Sequence, residues 1–280
     1  MRAEELLKSG DLDATLSALQ GEVRAKSADA KLRIFLFQLL TVMGDWKRAI
    51  TQLKVSAELD AMATSMAQTY REGIVCEVYR EKVFAGEKDP LIFGEPQEWV
   101  ALLIEALKVQ AAGRHDDAAA LRAKAFEAAP AVSGTLNGEA FEWIADADMR
   151  LGPLLEAVVN GRYFWLPFNM IRSIMAEPPV DLRDCVWTPV NITLRNGGDI
   201  VALLPTRYAS TAEKGSNAEK LARETNWTDI GAETFVGMGQ RLLATDTGDT
   251  ALMDLRLLQI NHPEEPVADA PAEDDDNEEG

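Results

Sequence analysis

Four carboxylates cluster near the middle of the 280-residue chain: Glu142, Asp146, Asp148 and Glu156. Clustered oxygens of this kind can hold Mg²⁺ or Ca²⁺. Two carboxyl groups in unlike surroundings can also divide general acid and general base work. The first three sit at even spacing in FEWIADAD, where Phe141, Trp143, Ala145 and Ala147 alternate with Glu142, Ile144, Asp146 and Asp148. Period-two alternation predicts a half-buried strand carrying its acids on one face. A plainer reading of the same pattern is a polar outer face paired with Arg150, Arg162 or Arg172, and it is preferred. No glycine-rich phosphate loop or EF-hand spacing accompanies the acids. GMGQR at 237–241 leads into a strand rather than opening a helix.

Other reactive residue types are scarce. His115 and His262 are the only histidines, too few for a Cys/His zinc set or a well-placed triad. Cys76 and Cys185 lie far apart and read as reduced thiols, with Cys185 in an apolar strand. Trp143, Tyr163, Phe164 and Trp165 could form a stacking platform, but a small β-domain needs such side chains for its core. The formal charge is −18, and the segment PEEPVADAPAEDDDNEEG contributes about half of it. No basic stripe is present, which disfavours nucleic acid as a partner. No apolar run reaches membrane-spanning length and no signal core opens the chain, so a cytoplasmic protein is expected. No cofactor is implied.

The elements that must position these residues change character near residue 139. Before it, apolar residues recur at helical spacing. Glycine turns centre on Gly10, Gly44 and Gly113, the first two 34 residues apart and the third near two further periods. Each is followed by a large and then a small residue: Leu12 and Ala14, Trp46 and Ala49, His115 and Ala118. This resembles tetratricopeptide repeats, in which stacked helix pairs bury their faces only against neighbours. Residues 62–85 read as one long helix where another glycine turn would fall, and 86–99 as a loop.

After residue 139 hairpins are predicted at Asn160-Gly161, at Asn196-Gly197-Gly198 and around DTGD. FNMIRSIMAE is expected to form a short helix, and 208–230 to be irregular apart from about one helical turn. The fold class is therefore α+β, a tetratricopeptide-like helical array followed by a mainly antiparallel β-domain. The expected units are residues 1–135, residues 136–261 with three hairpins, and an acidic, disordered tail at 262–280.

Five segments carry a closer resemblance. They are a DAD-x-R-x-GP-x-LE block and an NG-x-Y-x-W-x-PF block, both within WIADADMRLGPLLEAVVNGRYFWLPF, then DLRDCVWTPV, LPTRY at 204–208 and RETNWTD at 223–229. Together they are similar to the ImpE family. The matching residues are Asp146, Asp148, Arg150, Gly152, Pro153, Glu156, Asn160, Gly161, Tyr163, Trp165, Pro167 and Phe168, then Arg183, Asp184, Trp187, Arg207, Tyr208 and Trp227. The resemblance implies structural rather than catalytic roles for them. It implies a non-enzymatic accessory factor of type VI secretion, with a TssB-type sheath subunit and a ClpV-type ATPase as protein partners. On physical grounds the short N-terminal amphipathic helix, with Leu6, Leu7 and then Leu12, and the groove of the repeats are candidate docking surfaces. Two alternatives stay open: a general peptide-binding scaffold outside secretion, and a metal-dependent enzyme using the carboxylates at 142–156.

Overall fold

A computed structural model of the chain describes residues 2–262, so the expected acidic tail lies outside the described residues apart from its first residue, His262. Helices come first: α1 (Arg2–Ser9), α2 (Leu12–Ala25), α3 (Ala30–Val42), α4 (Trp46–Leu59), α5 (Thr64–Phe84), α6 (Glu98–Ala111) and α7 (His115–Ala128). Gly10, Gly44 and Gly113 each take a left-handed φ that favours glycine, closing the α1–α2, α3–α4 and α6–α7 hairpins. Behind the first two glycines Asp11 and Asp45 accept from backbone N–H groups of the next helix, and Asp29 does the same for α3. The missing glycine turn has a structural reason. Helix α5 has no return helix and lies along the sheet, its Gly73 lying against Trp187 and Leu203.

The strands are β1 (Leu91–Ile92), β2 (Gly134–Leu136), β3 (Glu139–Phe141), β4 (Ile144–Asp146), β5 (Leu154–Val159), β6 (Arg162–Pro167), β7 (Ile171–Ala176), β8 (Trp187–Leu194) and β9 (Asp199–Pro205). The short helices α8 (Thr211–Lys214) and α9 (Asn217–Lys220) follow. Then come β10 (Thr225–Asp229), β11 (Phe235–Gly239), β12 (Leu242–Thr245), β13 (Gly248–Ala251) and β14 (Leu257–Ile260). One large sheet runs β1-β6-β5-β9-β8-β7-β14-β2-β3, antiparallel except for β1 on β6. A ribbon, β10-β11, and a smaller sheet, β13-β12-β4, complete the architecture. The fold is mixed α+β.

The two faces of the large sheet bury separate clusters. On one, Trp165, Trp187 and Leu203 meet Phe37, Leu40 and Ile74 of the helices, so array and sheet share a core. On the other, Leu155, Leu166, Ile192 and Leu204 pack with Ile144, Leu243, Leu252 and Leu258.

Asn160-Gly161 turns β5 into β6, both residues at positive φ, as a tight primed hairpin turn requires. Hairpins also form at β8–β9 and β12–β13. The short helix expected after Pro167 is absent. Phe168–Met170 makes one 3₁₀ turn, and Ile171–Ala176 is strand β7. A register shift between Ile171 and Ser173 breaks the alternation there, and a bulge of this kind hides a strand from period-two reading.

The strand expected through 141–148 is also corrected. It is split into β3 and β4, which belong to different sheets. Phe141 is buried and Glu142 exposed as expected, but beyond the break the parity is reversed: Ile144, Asp146 and Asp148 are buried, while Trp143 remains 42% exposed. Cys185 lies in the 3₁₀ turn Leu182–Cys185 rather than in a strand. The loop 86–99 contains β1, and the irregular stretch 208–230 contains β10.

Candidate functional site

The side chains of the buried acids are paired with arginines. Glu156, on β5, is fully buried. Its Oε1 accepts from Arg80 Nε at 2.5 Å and also from the Tyr163 hydroxyl. Its Oε2 accepts from Arg80 Nη2 at 2.8 Å and meets Arg241 Nη1 at 3.1 Å. Trp165 Nε1 donates to the Tyr163 oxygen at 2.8 Å, extending the chain of hydrogen bonds into the helix-side core. Arg80 comes from α5 and Arg241 immediately precedes β12, so one carboxylate ties the helical layer to both sheets.

Asp146 Oδ2 takes Arg241 Nε at 2.9 Å and Nη2 at 2.5 Å, and its Oδ1 accepts the Asp148 N–H at 2.8 Å. Asp148 receives Arg150 through Nε at 2.9 Å and Nη2 at 2.6 Å, and Gly237 N–H from the ribbon at 3.0 Å. Side-by-side contacts of this type have the planar fork geometry in which arginine outperforms lysine. Arg150 also lies over the Phe84 ring at 4.7 Å. Between these residues, Gly152 takes a positive φ in the GP corner, where a Cβ would meet the Phe126 ring at 2.4 Å.

Burial and charge compete within the network. Burial alone would raise Glu156, but the positive charges of Arg80 and Arg241, with hydrogen bonds from Arg80 and Tyr163, hold it down at about 2. At Asp146 burial dominates. Arg241 pulls down and the neighbouring Asp148 pushes up, leaving the carboxyl at about 6. Glu77 is raised by burial against the opposing pull of Arg80. Arg207 is lowered to about 10, chiefly by burial. It donates to backbone carbonyls at two helix ends, Val42 of α3 at 2.9 Å and Lys220 of α9 at 2.5 Å. A cation at a helix C-terminus satisfies carbonyls that the helix itself leaves unpaired.

The other motif residues serve local structure. Pro153 O accepts Phe168 N–H at 3.2 Å, and Pro167 closes β6 opposite Leu154. Asp184 Oδ2 accepts from the N–H groups of Val180 and Asp181 at 2.8 Å, capping the 3₁₀ turn, while Arg183 lies over Tyr70 at 4.6 Å and pairs with Asp181. Trp187 is buried beside Tyr70 and Trp46. The Tyr208 hydroxyl accepts Leu242 N–H at 3.0 Å, and its ring lies 5.4 Å from that of Trp227. Asn160 and Gly161 sit at a turn near Glu72, outside the network. In the N-terminal docking candidate, Leu6 and Leu7 are half-buried, but Leu12 is fully buried in the core and offers no surface.

The expected outer-face pairing is therefore corrected. Arg150 is a partner, Arg162 and Arg172 are not, and the face is an interior one. Glu142 stands apart, exposed, with its backbone N–H on the Asp246 side chain. The carboxylates of 142–156 do not converge in one pocket, and the three buried ones are already matched to guanidinium groups. Among the described residues no group of three or more His, Cys, Asp or Glu is arranged to hold a metal ion. Sequence reasoning missed Arg80, Arg241 and Glu77. Arg241 had a visible signal, a charge set between buried positions of a strand-forming segment. Arg80 had none, being one charge among many on a long helix.

A family model described as ImpE protein matches residues 138–259. The chain is also 56% identical over 260 residues to the "Type VI secretion system accessory component TagJ" of Pseudomonas aeruginosa, covering 93% of this chain and 91% of that protein. The chain belongs to the ImpE family. Its fold is shared with the X-ray crystal structure of a Vibrio parahaemolyticus protein, with a TM-score of 0.85 and 25% identity, covering 94% of this chain and 98% of that one. The ImpE match begins just before the buried acids and ends within β14. It thus spans Asp146, Asp148, Glu156 and Arg241, while Arg80 is supplied by the helical layer outside it.

Proposed function

We propose that the protein is a non-enzymatic accessory component of a type VI secretion system, working in the cytoplasm as an adaptor that bridges a TssB-type sheath subunit and a ClpV-type ATPase. The observation that carries the reading is the 56% identity, over nearly the full length, to the Pseudomonas aeruginosa accessory component TagJ. The geometry agrees with it. The segment richest in acids and aromatics is spent on joining helices to sheets, which leaves the outer surfaces for partners. Among the described residues no helix is long and apolar enough to cross a membrane. Helical arrays of this kind take a helix or an extended peptide along their exposed side. The β-domain gives a second face, so that one molecule can hold two partners.

Purified full chain mixed with sheath subunit and with the ATPase, separately and together, tests this. Retention of the ATPase on sheath only when the chain is present supports bridging. Binding of one partner alone removes the bridge and keeps the accessory role. Binding of neither, with unchanged secretion in a deletion strain, would favour the general scaffold.

A further inference from the structure

The RETNWTD segment lies at the surface, and Trp227 is its one large apolar residue, its ring partly covered by that of Tyr208. Arg223 donates to Leu7 O and Lys8 O at the end of α1, at 3.1 and 3.2 Å, and Thr225 Oγ1 donates to Gln240 O at 2.7 Å. Trp227 stays 38% exposed, with Phe235 46% exposed on the same ribbon. The ribbon pairs Thr225 with Gly239, Trp227 with Gly237 and Asp229 with Phe235, in unbroken register.

The direction of its hydrogen bonds follows. On β11, Gly237 N–H goes to Asp148 and Gly239 N–H to Thr211, while Gly239 O accepts Tyr208 N–H, all away from β10. At the next step Gln240 N–H reaches Glu224 O, toward β10. Thr225, Trp227 and Asp229 are therefore the non-hydrogen-bonded positions, and their own N–H and C=O groups point to the open side of the ribbon. No described strand lies there, because the ribbon has only two strands. Native edges are commonly blunted by lysine, proline or a bulge. TNWTD contains none of these, and its single charge, Asp229, stands at the end of the strand.

This edge is self-complementary. In antiparallel pairing about Trp227, Trp227 meets its counterpart in a second copy, Asn226 faces Thr228, and Thr225 faces Asp229. Each carboxylate lies opposite a hydroxyl rather than another carboxylate. We propose that β10 docks on β10 of a second copy of this chain, through Thr225–Asp229 about a two-fold axis at Trp227, making one continuous sheet β11-β10-β10-β11. An isologous contact of this kind closes on itself and does not propagate into fibres. It is small, so the dimer is weak, with a dissociation constant on the order of micromolar or above.

Sedimentation equilibrium of the full chain across concentration tests the docking. The expected result is a monomer–dimer equilibrium that responds to the sign of charge at position 225. Thr225→Lys, facing Asp229 twice, tightens the dimer, and Thr225→Asp weakens it, each by roughly three- to tenfold. Trp227→Pro removes the central donor and the ring, and proline is tolerated on an edge strand. This variant should be monomeric with an unchanged far-UV circular dichroism spectrum. Amide exchange gives a readout without substitution: the Trp227 N–H should slow as concentration rises. A monomer at every concentration overturns the proposal, and so does a dimer indifferent to charge at 225. A Trp227 amide protected only when an extended partner peptide is added overturns it as well, and assigns the edge to that partner.

Discussion

Glu156→Gln should unfold the junction more than any isosteric change on the surface. Glutamine keeps the shape and removes the charge that faces both Arg80 and Arg241. Holding the carboxyl at about 2 against an ordinary 4.5 corresponds to about 3 kcal/mol of preference for the ionised form in the folded state. Removing one member of a buried ion pair independently costs about 3–5 kcal/mol, because the partner charge is left uncompensated. For a chain of this size about 1 kcal/mol moves Tm by roughly 2–4 °C, so a fall of roughly 6–20 °C is expected at pH 7. The pH profile supplies the second arm. A carboxyl whose folded pKa is depressed stabilises fully above its unfolded pKa, and that stability is lost as pH falls toward the folded value. The gap between wild type and Glu156→Gln should therefore be full at pH 6–7 and narrow progressively from about pH 5 toward pH 2. Denaturant unfolding by circular dichroism at several pH values measures both arms. A loss below about 1 kcal/mol at pH 7, or a gap that persists unchanged in acid, would refute the assignment of Glu156 as the charged centre of the network.

Further expectations can be checked by the same unfolding assay. Asp146 has its folded pKa raised to about 6, above the unfolded value of roughly 3.9. Its contribution therefore rises as pH falls through that interval, and Asp146→Asn should flatten this part of the profile. Gly152→Ala places a methyl group 2.4 Å from the Phe126 ring at a positive φ and should cost about 3 kcal/mol through left-handed strain and overpacking. Arg207→Lys cannot serve the ends of α3 and α9 together and should cost about 1–3 kcal/mol, with amide exchange faster at those two ends.

Much of the scaffold was legible in the residues. Gly10, Gly44 and Gly113 announced helical hairpins because each stands between two helical patterns at a turn that needs a left-handed residue. Asn160-Gly161 announced a hairpin for a related reason. What could not be read was orientation. Alternation around Asp146 and Asp148 shows two faces and does not say which is inside; the usual rule puts acids outside. The rule failed here because each acid's guanidinium comes from elsewhere in the chain, Arg241 for Asp146 and Arg80 for Glu156, or from the adjacent corner, Arg150 for Asp148. Strand β7 was hidden by its bulge. β1 was hidden by being two residues long and dependent on β6.

The central claim is that the acids at 146–156 are counter-ions of a buried junction and not reacting groups. The most direct test is the paired variant Asp146→Asn with Arg241→Gln, which removes one charge of each sign, assayed for secretion in a strain lacking its own copy. The expected result is a folded protein, less destabilised than either single variant, that restores secretion to the wild-type level. A folded double variant that fails to restore secretion would contradict the claim and return Asp146 to the candidates for chemistry.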